Sequence, residues 1–330
     1  MEETTKAKLL YILELLKKTD EQHPVNTNDI ITYLSEKGLS AERKSVARDI
    51  EAIRQAGYSV ILCDEYKRGY YMTDQTFEDY ELKMIADAVS GAKFLTYNDS
   101  EKLVNKLCEI ATFTGEEIIR EQTFIDQTIK SQNKFVRFNI DKVINAIEHK
   151  KRITFQYFEI GPDGNMRLKR DGHIYEISPY YLCWAEDGYF LIGNSKSHDH
   201  LTHFRVDMMI NVEITKILIR PREEIEELTE KFSIGEYLRQ NVNMYTGELM
   251  SVTLECRQNA APDFRTRFGT DIKVVPIDEE HFRADVLVTK GEGFIRWIMQ
   301  FDPDDIKVIW PNDFYSTVKS RAEKILGYYK

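Results

Sequence analysis

Apolar side chains recur at spacings of three and four near the start of the chain, which is the pattern of amphipathic helices. They predict a first helix over residues 6–18 and a second that begins after Asn26 and stops at Gly38. Ser40 can cap a third helix over residues 41–56. The connection between the second and third helices is very short, which predicts a helix-turn-helix.

The third predicted helix has two distinct faces. Its buried stripe is Val46, Ile50 and Ile53. A separate exposed arc near the helix start consists of Arg43, Lys44, Ala47 and Arg48. Two arginines, a lysine and a small residue suit insertion into a DNA major groove. The alternative is the solvated face of an ordinary three-helix bundle.

A short β-hairpin is predicted directly after this helix. Residues 59–63 are rich in strand formers, residues 64–69 contain turn signals, and residues 70–72 return. A basic tip on such a hairpin suits contact with phosphate and favours a winged helix. The predicted DNA-binding residues are Ser40, Arg43, Lys44, Ser45, Ala47, Arg48, Lys67 and Arg68.

Residues 43–53, with Arg48-Asp49-Ile50 at their centre, resemble the recognition helix of winged-helix regulators related to the DeoR family. Asp49 lies outside the exposed arc, so we expect it to orient an arginine or to cap a neighbouring helix. Glu51 lies on the arc, where it is either beyond the reach of the groove or accepts a hydrogen bond from a cytosine.

The rest of the chain shows three successive secondary-structure patterns. A helical stretch with no catalytic signature is followed by short strands with frequent turn signals, and then by alternating strands and helices. The predicted fold is a multidomain α+β protein with a winged helix, a helical spacer, a small, strongly bent sheet or barrel and a C-terminal α+β module. The predicted domain boundaries are 1–73, 74–136, 137–222 and 223–330.

The short-strand segment resembles the WYL domain. The matching blocks are Ser178-Pro179-Tyr180, Tyr189-Phe190-Leu191 and Phe204-Arg205-Val206-Asp207. Tyr189 and Phe190 stand where that family usually has Trp and Tyr, and Met208 stands where it often has a second arginine. These departures bear on the identity of the ligand. Residues 250–330 resemble the C-terminal extension that accompanies many WYL domains.

The WYL resemblance implies a polar, aromatic-lined pocket for an anionic effector, such as a nucleotide or single-stranded nucleic acid. The residues carried over are Tyr157, Ser178, Tyr180, Tyr189, His203, Arg205 and Asp207. An arginine offers a bidentate fork for phosphate, and tyrosines offer stacking faces. The competing interpretations are that Tyr157 and Tyr189 are core residues, and that Asp207 is the partner of Arg205.

Net charge argues against nucleic-acid binding only at first sight. The chain carries −10, yet residues 1–72 contain 11 Lys and Arg against 12 Asp and Glu, and the remainder contains 34 against 43. Phosphate contacts depend on local charge, so a basic face on the N-terminal segment is sufficient. There is no membrane-spanning run and no signal-peptide core, and the four cysteines lack metal-ligand spacing, so we expect a cytoplasmic protein.

No motif predicts catalysis, a cofactor or a metal. His198-Asp199-His200 with nearby His203 has no further ligand in register, so a zinc site is disfavoured. Gly291-Glu292-Gly293 lacks the setting of a phosphate loop and predicts a turn. We therefore expect a protein that is not an enzyme.

The sequence favours a homodimeric, sequence-specific transcription regulator that binds double-stranded DNA and responds to an effector at the WYL domain. The alternative is a sensor whose main task is to bind single-stranded nucleic acid, with the winged helix as an accessory. A nucleotide-processing enzyme with an appended DNA-binding module is the weakest hypothesis, since no catalytic residues are seen.

Overall fold

The computed structural model describes residues 2–63 and 68–329, with side chains from residue 6 onward. The chain divides into two compact units, residues 1–134 and residues 135–330. Helices dominate the first unit, whereas the second contains two sheets. The predicted mixture of helices and sheets in a multidomain chain is therefore confirmed.

The first unit begins with three helices and two strands. They are α1 (Glu2–Lys17), α2 (Thr27–Glu36), α3 (Arg43–Gln55), β1 (Val60–Cys63) and β2 (Gly69–Met72). The strands pair antiparallel, with Val60 opposite Met72. One hydrophobic core joins all five elements, because each amphipathic helix turns its apolar stripe inward. Its buried members are Ile12, Leu15, Leu16, Ile30, Leu34, Val46, Ile50, Ile53, Val60 and Met72.

The predicted start of the third helix is wrong by two residues. Ser40 does not cap it: α3 begins at Arg43, and its N-cap is Glu42, whose side chain makes no capping hydrogen bond. Leu39 and Ala41 pack against the core of the first unit. We attribute the later start to this packing, which favours an extended backbone between Gly38 and the helix.

Three further helices complete the first unit: α4 (Asp79–Gly91), α5 (Tyr97–Ile110) and α6 (Phe113–Gln122). They enclose a small core of their own. Lys130 follows them and is buried, and its ammonium donates to the carbonyls of Val89 and Ala92 at the C-terminal end of α4. A cation in this place complements the helix dipole, although burial lowers the pKa of Lys130.

The second unit opens with α7 (Val136–Glu148) and a six-stranded sheet. The strands are β3 (Lys151–Ile160), β4 (Met166–Leu168), β5 (Ile174–Ala185), β6 (Gly188–Ser195), β7 (Thr202–Arg205) and β8 (Met209–Leu218). They lie in the order β4-β3-β5-β6-β7, and β8 pairs with the other edge of β3. The β3–β8 and β5–β6 pairs contain register shifts, which are irregularities of the kind at which strands bend.

Both faces of this sheet are covered. The first cluster includes Val143 and Ala146 of α7 and is called the α7-face cluster. The second includes Leu228 and Tyr237, which lie beyond β8, and is called the α8-face cluster after the helix α8 (Ile234–Gln240).

The chain then forms a four-stranded sheet flanked by helices. Its elements are β9 (Leu249–Arg257), α9 (Ala261–Phe268), β10 (Val274–Pro276), β11 (His281–Thr289), α10 (Glu292–Ile298), β12 (Ile306–Trp310) and α11 (Asn312–Tyr328). The strand order is β10-β11-β9-β12, so the first strand lies in the interior of the sheet. The predicted alternation of strands and helices is confirmed.

The prediction of a turn at residues 291–293 is wrong, because α10 begins at Glu292. Gly293 is needed there for space, since a Cβ atom at this position would lie 2.1 Å from the carbonyl oxygen of Val242. Within the described part of the chain, every helix is too short or too polar to cross a membrane.

Candidate functional site

The exposed face of α3 carries the predicted basic arc. Val46, Ile50 and Ile53 are buried, which confirms the predicted apolar stripe. The side chains of Arg43, Lys44, Ala47 and Arg48 are all exposed. Three cations therefore stand on one rigid helix surface, which is the arrangement that suits base and phosphate contacts in a groove.

Arg43 is held at the first turn of α2. Its Nη2 donates to the side-chain oxygen of Asn28 at 3.0 Å. Asn28 follows the N-cap Asn26, whose side chain accepts from the Asn28 backbone. No sequence pattern singles out Asn28, because its hydrogen bond to Arg43 depends on the packing of α2 against α3.

Ser45 and Asp49 face the interior rather than the exposed arc. Lys8 of α1 is buried, donates to the Ser45 hydroxyl and lies 2.8 Å from the Asp49 carboxylate. Ser45 is thereby engaged within the helical bundle, and Asp49 pairs with a neighbouring helix. Glu51 stays exposed, 3.7 Å from Arg54.

The hairpin after α3 supplies one described candidate. Arg68 is exposed immediately before β2. The prediction for Lys67 lies outside the described residues. Ser40 is exposed between α2 and α3.

Arg205 and Asp207 form a bidentate ion pair in the second unit. The guanidinium Nε and Nη2 lie 3.1 and 2.8 Å from the two carboxylate oxygens. The Asp207 side chain is 5% exposed, and the hydrogen bonds to it raise the pKa of Arg205. The competing interpretation from the sequence, that Asp207 is the partner of Arg205, describes this geometry. The Arg205 side chain is still 38% exposed, so its outer edge is open to a ligand.

Tyr157 lies next to this pair. Its hydroxyl accepts a hydrogen bond from the Arg205 backbone N–H at 3.1 Å. Burial raises the pKa of Tyr157 to about 12. Its ring packs with the α7-face cluster, as the core interpretation predicts.

The hydroxyl groups of Ser178 and Tyr180 both form hydrogen bonds with the backbone of Arg220. The Ser178 hydroxyl accepts from the Arg220 N–H at 3.0 Å, and the Tyr180 hydroxyl donates to the Arg220 carbonyl at 2.8 Å. Both side chains are buried. They hold the exit of β8 against β5, which is a structural role.

His203 is also enclosed. Its two ring nitrogens lie 2.9 Å from the Met244 carbonyl and 2.9 Å from the Tyr237 hydroxyl. A neutral imidazole satisfies both contacts if Nδ1 donates and Nε2 accepts. Burial lowers the pKa of His203, which favours this neutral form.

The seven predicted effector residues are therefore spread over both faces of the sheet. Tyr157 and Tyr189 pack in the α7-face cluster, whereas Tyr180 packs in the α8-face cluster. His203 lies opposite Ile192, a member of the α8-face cluster. In this fully described stretch, residues 151–218, they do not converge on one pocket.

A comparison with known protein families identifies the segment that contains these residues. Residues 139–214 match the family of the WYL domain. This segment is a WYL domain. It runs from α7 into β8 and contains all seven predicted effector residues.

Two solved structures align with most of the chain at low structural similarity. Proteasome accessory factor B/C (PafBC) of Arthrobacter aurescens is 15% identical with a TM-score of 0.28, over 96% of this chain and 45% of that chain. A CRISPR Cas-related protein is 11% identical with a TM-score of 0.38, over 99% of this chain and 84% of that chain. The chain thus spans less than half of the length of PafBC. No curated protein matches the sequence.

The WYL domain also carries an aromatic and basic cluster that was not predicted from the sequence. Tyr175 stacks on Phe155, with ring centroids 5.5 Å apart, and meets Tyr157 edge-on at 6.3 Å. Lys169 lies 5.8 Å from the Tyr157 ring and Arg170 lies 5.9 Å from the Tyr175 ring. The sequence feature that marks this cluster is the turn dipeptide Asp171-Gly172, which directly follows the cations Lys169 and Arg170.

A second feature of the WYL domain is the exposed Trp184. Its ring meets that of Tyr189 edge-on, with centroids 5.4 Å apart, and it is 49% exposed. Tyr189 was predicted from the sequence but Trp184 was not, because the pairing of the two residues depends on the register of β5 and β6.

An open cleft of about 900 Å³ lies beside the exit of β8. Arg220 and Arg222 line it together with five acidic side chains, Asp199 and four glutamates. Arg220 is neutralised by Asp199 and Glu224, each at 2.9 Å. An anion would meet net negative charge there, so the cleft does not suit the expected effector.

The histidines near this cleft form no metal site. Among residues 2–63 and 68–329, no group of three His, Cys, Asp or Glu side chains is placed to hold an ion. His200 instead lies 3.3 Å from Glu226 on the surface.

Proposed function

We propose that the protein is a DNA-binding transcription regulator whose affinity for double-stranded DNA is modulated by an anionic effector at the WYL domain. The observation that carries the proposal is the exposed arc of Arg43, Lys44 and Arg48 on α3, which stands above a fully buried stripe. A local basic face of this kind is sufficient for phosphate and base contacts despite the acidity of the whole chain.

The first five elements are proposed to act as a winged helix of the DeoR-like kind. In this arrangement α3 enters the major groove, and its N-terminal residues meet the base edges. Arg68 is exposed at the described end of the hairpin, where a basic side chain suits contact with a phosphate. The Lys8–Asp49 contact fixes α3 against α1, so that the exposed arc keeps one orientation.

The proposed regulator acts as a homodimer. Two copies of α3 would enter successive major grooves about 34–36 Å apart at a palindromic site. The effector would change DNA affinity through its coupling free energy with this arrangement. A nucleotide or single-stranded nucleic acid is the proposed class of effector, as the WYL resemblance implies.

The proposal is tested by selecting duplex fragments from genomic DNA with the purified protein at about 150 mM salt, where non-specific phosphate binding is weak. We expect one palindromic motif to be enriched. Arg43→Ala and Arg48→Ala should each weaken binding to that motif by roughly tenfold or more. Lys102→Ala, which removes an exposed cation from α5, is the matched control and should change binding by less than about twofold.

Retention of single-stranded fragments without any enriched duplex motif would contradict the proposal. The alternative, a single-strand sensor with an accessory winged helix, would then be favoured. In that case we expect Arg205→Ala, compared at equal concentrations of folded protein, to weaken binding more than Arg43→Ala does.

A further inference from the structure

A left-handed turn interrupts the WYL domain between β4 and β5. Arg170 and Asp171 have φ, ψ angles of 49°, 48° and 52°, 36°, and Gly172 follows with φ 78°. L-residues other than glycine disfavour this region, and two of them in succession are rare. Unfavourable backbone of this kind persists only where the surroundings impose it, and it is concentrated at functional sites.

Two amides impose this conformation. The Gln156 side chain of β3 donates to the Gly172 carbonyl at 2.8 Å. The Asn211 side chain of β8 in turn donates to the Gln156 side-chain oxygen at 2.8 Å. The turn is therefore fastened to two strands of the sheet.

The turn places three basic side chains on an aromatic surface. Lys169 and Arg170 lie over the rings of Tyr157 and Tyr175, and His173 meets Tyr175 edge-on with centroids 4.9 Å apart. Cation–π contacts fix the position of a cation without using up its N–H donors. The donors of Arg170 therefore stay available to a ligand, and Lys169 shares its ammonium with the exposed Glu159.

The rings themselves are not available for stacking. Tyr175 has Phe155 parallel to it at 5.5 Å and Phe204 edge-on at 5.3 Å. Tyr157 also meets Phe204 edge-on, at 5.6 Å. A nucleobase has no open face to stack on here, so the cluster suits an anionic group rather than a ring.

The acidic neighbours leave room for an anion. Glu159 lies 3.4 Å from Lys169, but this pair is on the surface and both side chains are about half exposed. Exposed pairs of this kind contribute little and are readily exchanged. Asp171 belongs to the turn itself and offsets one of its charges.

We propose that residues 169–173 bind a phosphomonoester, with Arg170 as a bidentate donor and Lys169 as a point charge. A terminal phosphate carries nearly two negative charges at neutral pH, whereas a phosphodiester carries one. Once a ligand displaces the exposed Glu159, Lys169 and Arg170 can each meet one charge of the dianion, and His173 lies beside them. This site depends on the proposed function only in that it would hold the anionic effector of the regulator. A phosphomonoester occurs both in a free nucleotide and at a 5′-phosphorylated strand end.

The test is calorimetric titration of the full chain, without duplex DNA, with a nucleoside monophosphate and its nucleoside, and with an eight-nucleotide strand with and without a 5′ phosphate. We expect at least one phosphorylated probe to bind and its unphosphorylated partner to bind at least tenfold more weakly. Which phosphorylated probe binds better identifies the source of the phosphate. Equal binding of both members of each pair, or no binding of any probe, would overturn the proposal.

Substitutions distinguish binding at residues 169–173 from general electrostatic attraction to basic side chains. Arg170→Met and Lys169→Met should each weaken the phosphorylated probe about tenfold. Gln156→Ala should weaken it as well, although no charge is lost, because the turn is released. Arg167→Met is the matched control in the same hairpin, since Arg167 is already paired with Asp163 at 2.9 Å. An equal effect of Arg167→Met would also overturn the site.

The result is independent of the regulator proposal. A phosphate-specific, Arg170-dependent signal without any duplex motif leaves the site standing and removes the regulator. A duplex motif without phosphate-specific binding removes the site alone.

Discussion

Lys8 on α1 lies 2.8 Å from the carboxylate of Asp49 on α3, and the two side chains are only 10% and 13% exposed. The pair joins the helix that carries the basic arc to the helix that supports it. A charge in such a place needs its partner, because removal of one member leaves the other poorly solvated.

We therefore expect Lys8→Met to lower the free energy of unfolding by about 2–4 kcal/mol. Urea denaturation followed by circular dichroism measures it. Asp87→Asn breaks the exposed Lys83–Asp87 pair on α4 and should cost less than about 1 kcal/mol. Similar losses of unfolding free energy in the two variants would show that the Lys8–Asp49 pair contributes no more than the Lys83–Asp87 pair does.

The enclosed His203 predicts a pH dependence of stability. Burial lowers its pKa in the folded state, so the unfolded chain binds more protons as the pH falls below about 6.5. Stability should therefore decrease on acidification, by up to about 1.4 kcal/mol per pH unit from this group.

Urea midpoints between pH 5 and pH 8 measure the effect. His203→Gln should flatten the acidic limb of the profile, whereas His198→Gln, at an exposed position, should leave it unchanged. An acidic limb that is the same in both variants would assign the pH dependence to other groups.

The Arg205–Asp207 pair predicts that a single substitution confounds function with stability. Arg205→Ala removes both guanidinium bonds to a nearly buried carboxylate and should cost about 2–4 kcal/mol. The double variant Arg205→Met with Asp207→Asn removes the charges together and should cost clearly less. A double-mutant cycle from thermal unfolding measures the coupling, and additive losses would contradict the pairing.

Two glycines should respond in opposite directions. Gly293→Ala places a Cβ atom 2.1 Å from the Val242 carbonyl oxygen, so we expect a loss of at least about 2 kcal/mol. Gly327→Ala meets no atom within 4 Å in α11 and should stabilise by up to about 1 kcal/mol. Thermal unfolding of both variants measures the difference, and a neutral Gly293→Ala would show that the backbone can yield.

The order of the elements could be predicted because it depends on local spacing. Val46, Ile50 and Ile53 form the buried stripe of α3 that their periodicity predicts. The start of the same helix could not be predicted, since Ala41 packs against the hydrophobic core of the first unit. Local capping preference at Ser40 is weaker than this tertiary contact.

The candidate site was harder to predict for the same reason. Ser178 is occupied by the Arg220 backbone and His203 by the Met244 carbonyl, and both partners lie about forty residues away. A sequence pattern identifies a polar side chain on a strand, but not the distant group that satisfies it. The cations of residues 169 and 170 were missed because their meaning depends on a backbone conformation that only the folded sheet imposes.

The position of β9 in its sheet has a consequence for synthesis. This strand pairs with β11 on one side and with β12 on the other, and β12 lies about fifty residues further along. On the ribosome, one edge of β9 stays unpaired until β12 has emerged, and an unpaired strand edge favours association with other nascent chains. The contacts within the first unit extend to Lys130 and Ser131, so a polysome would carry this unit in folded form well before the C-terminal module can form.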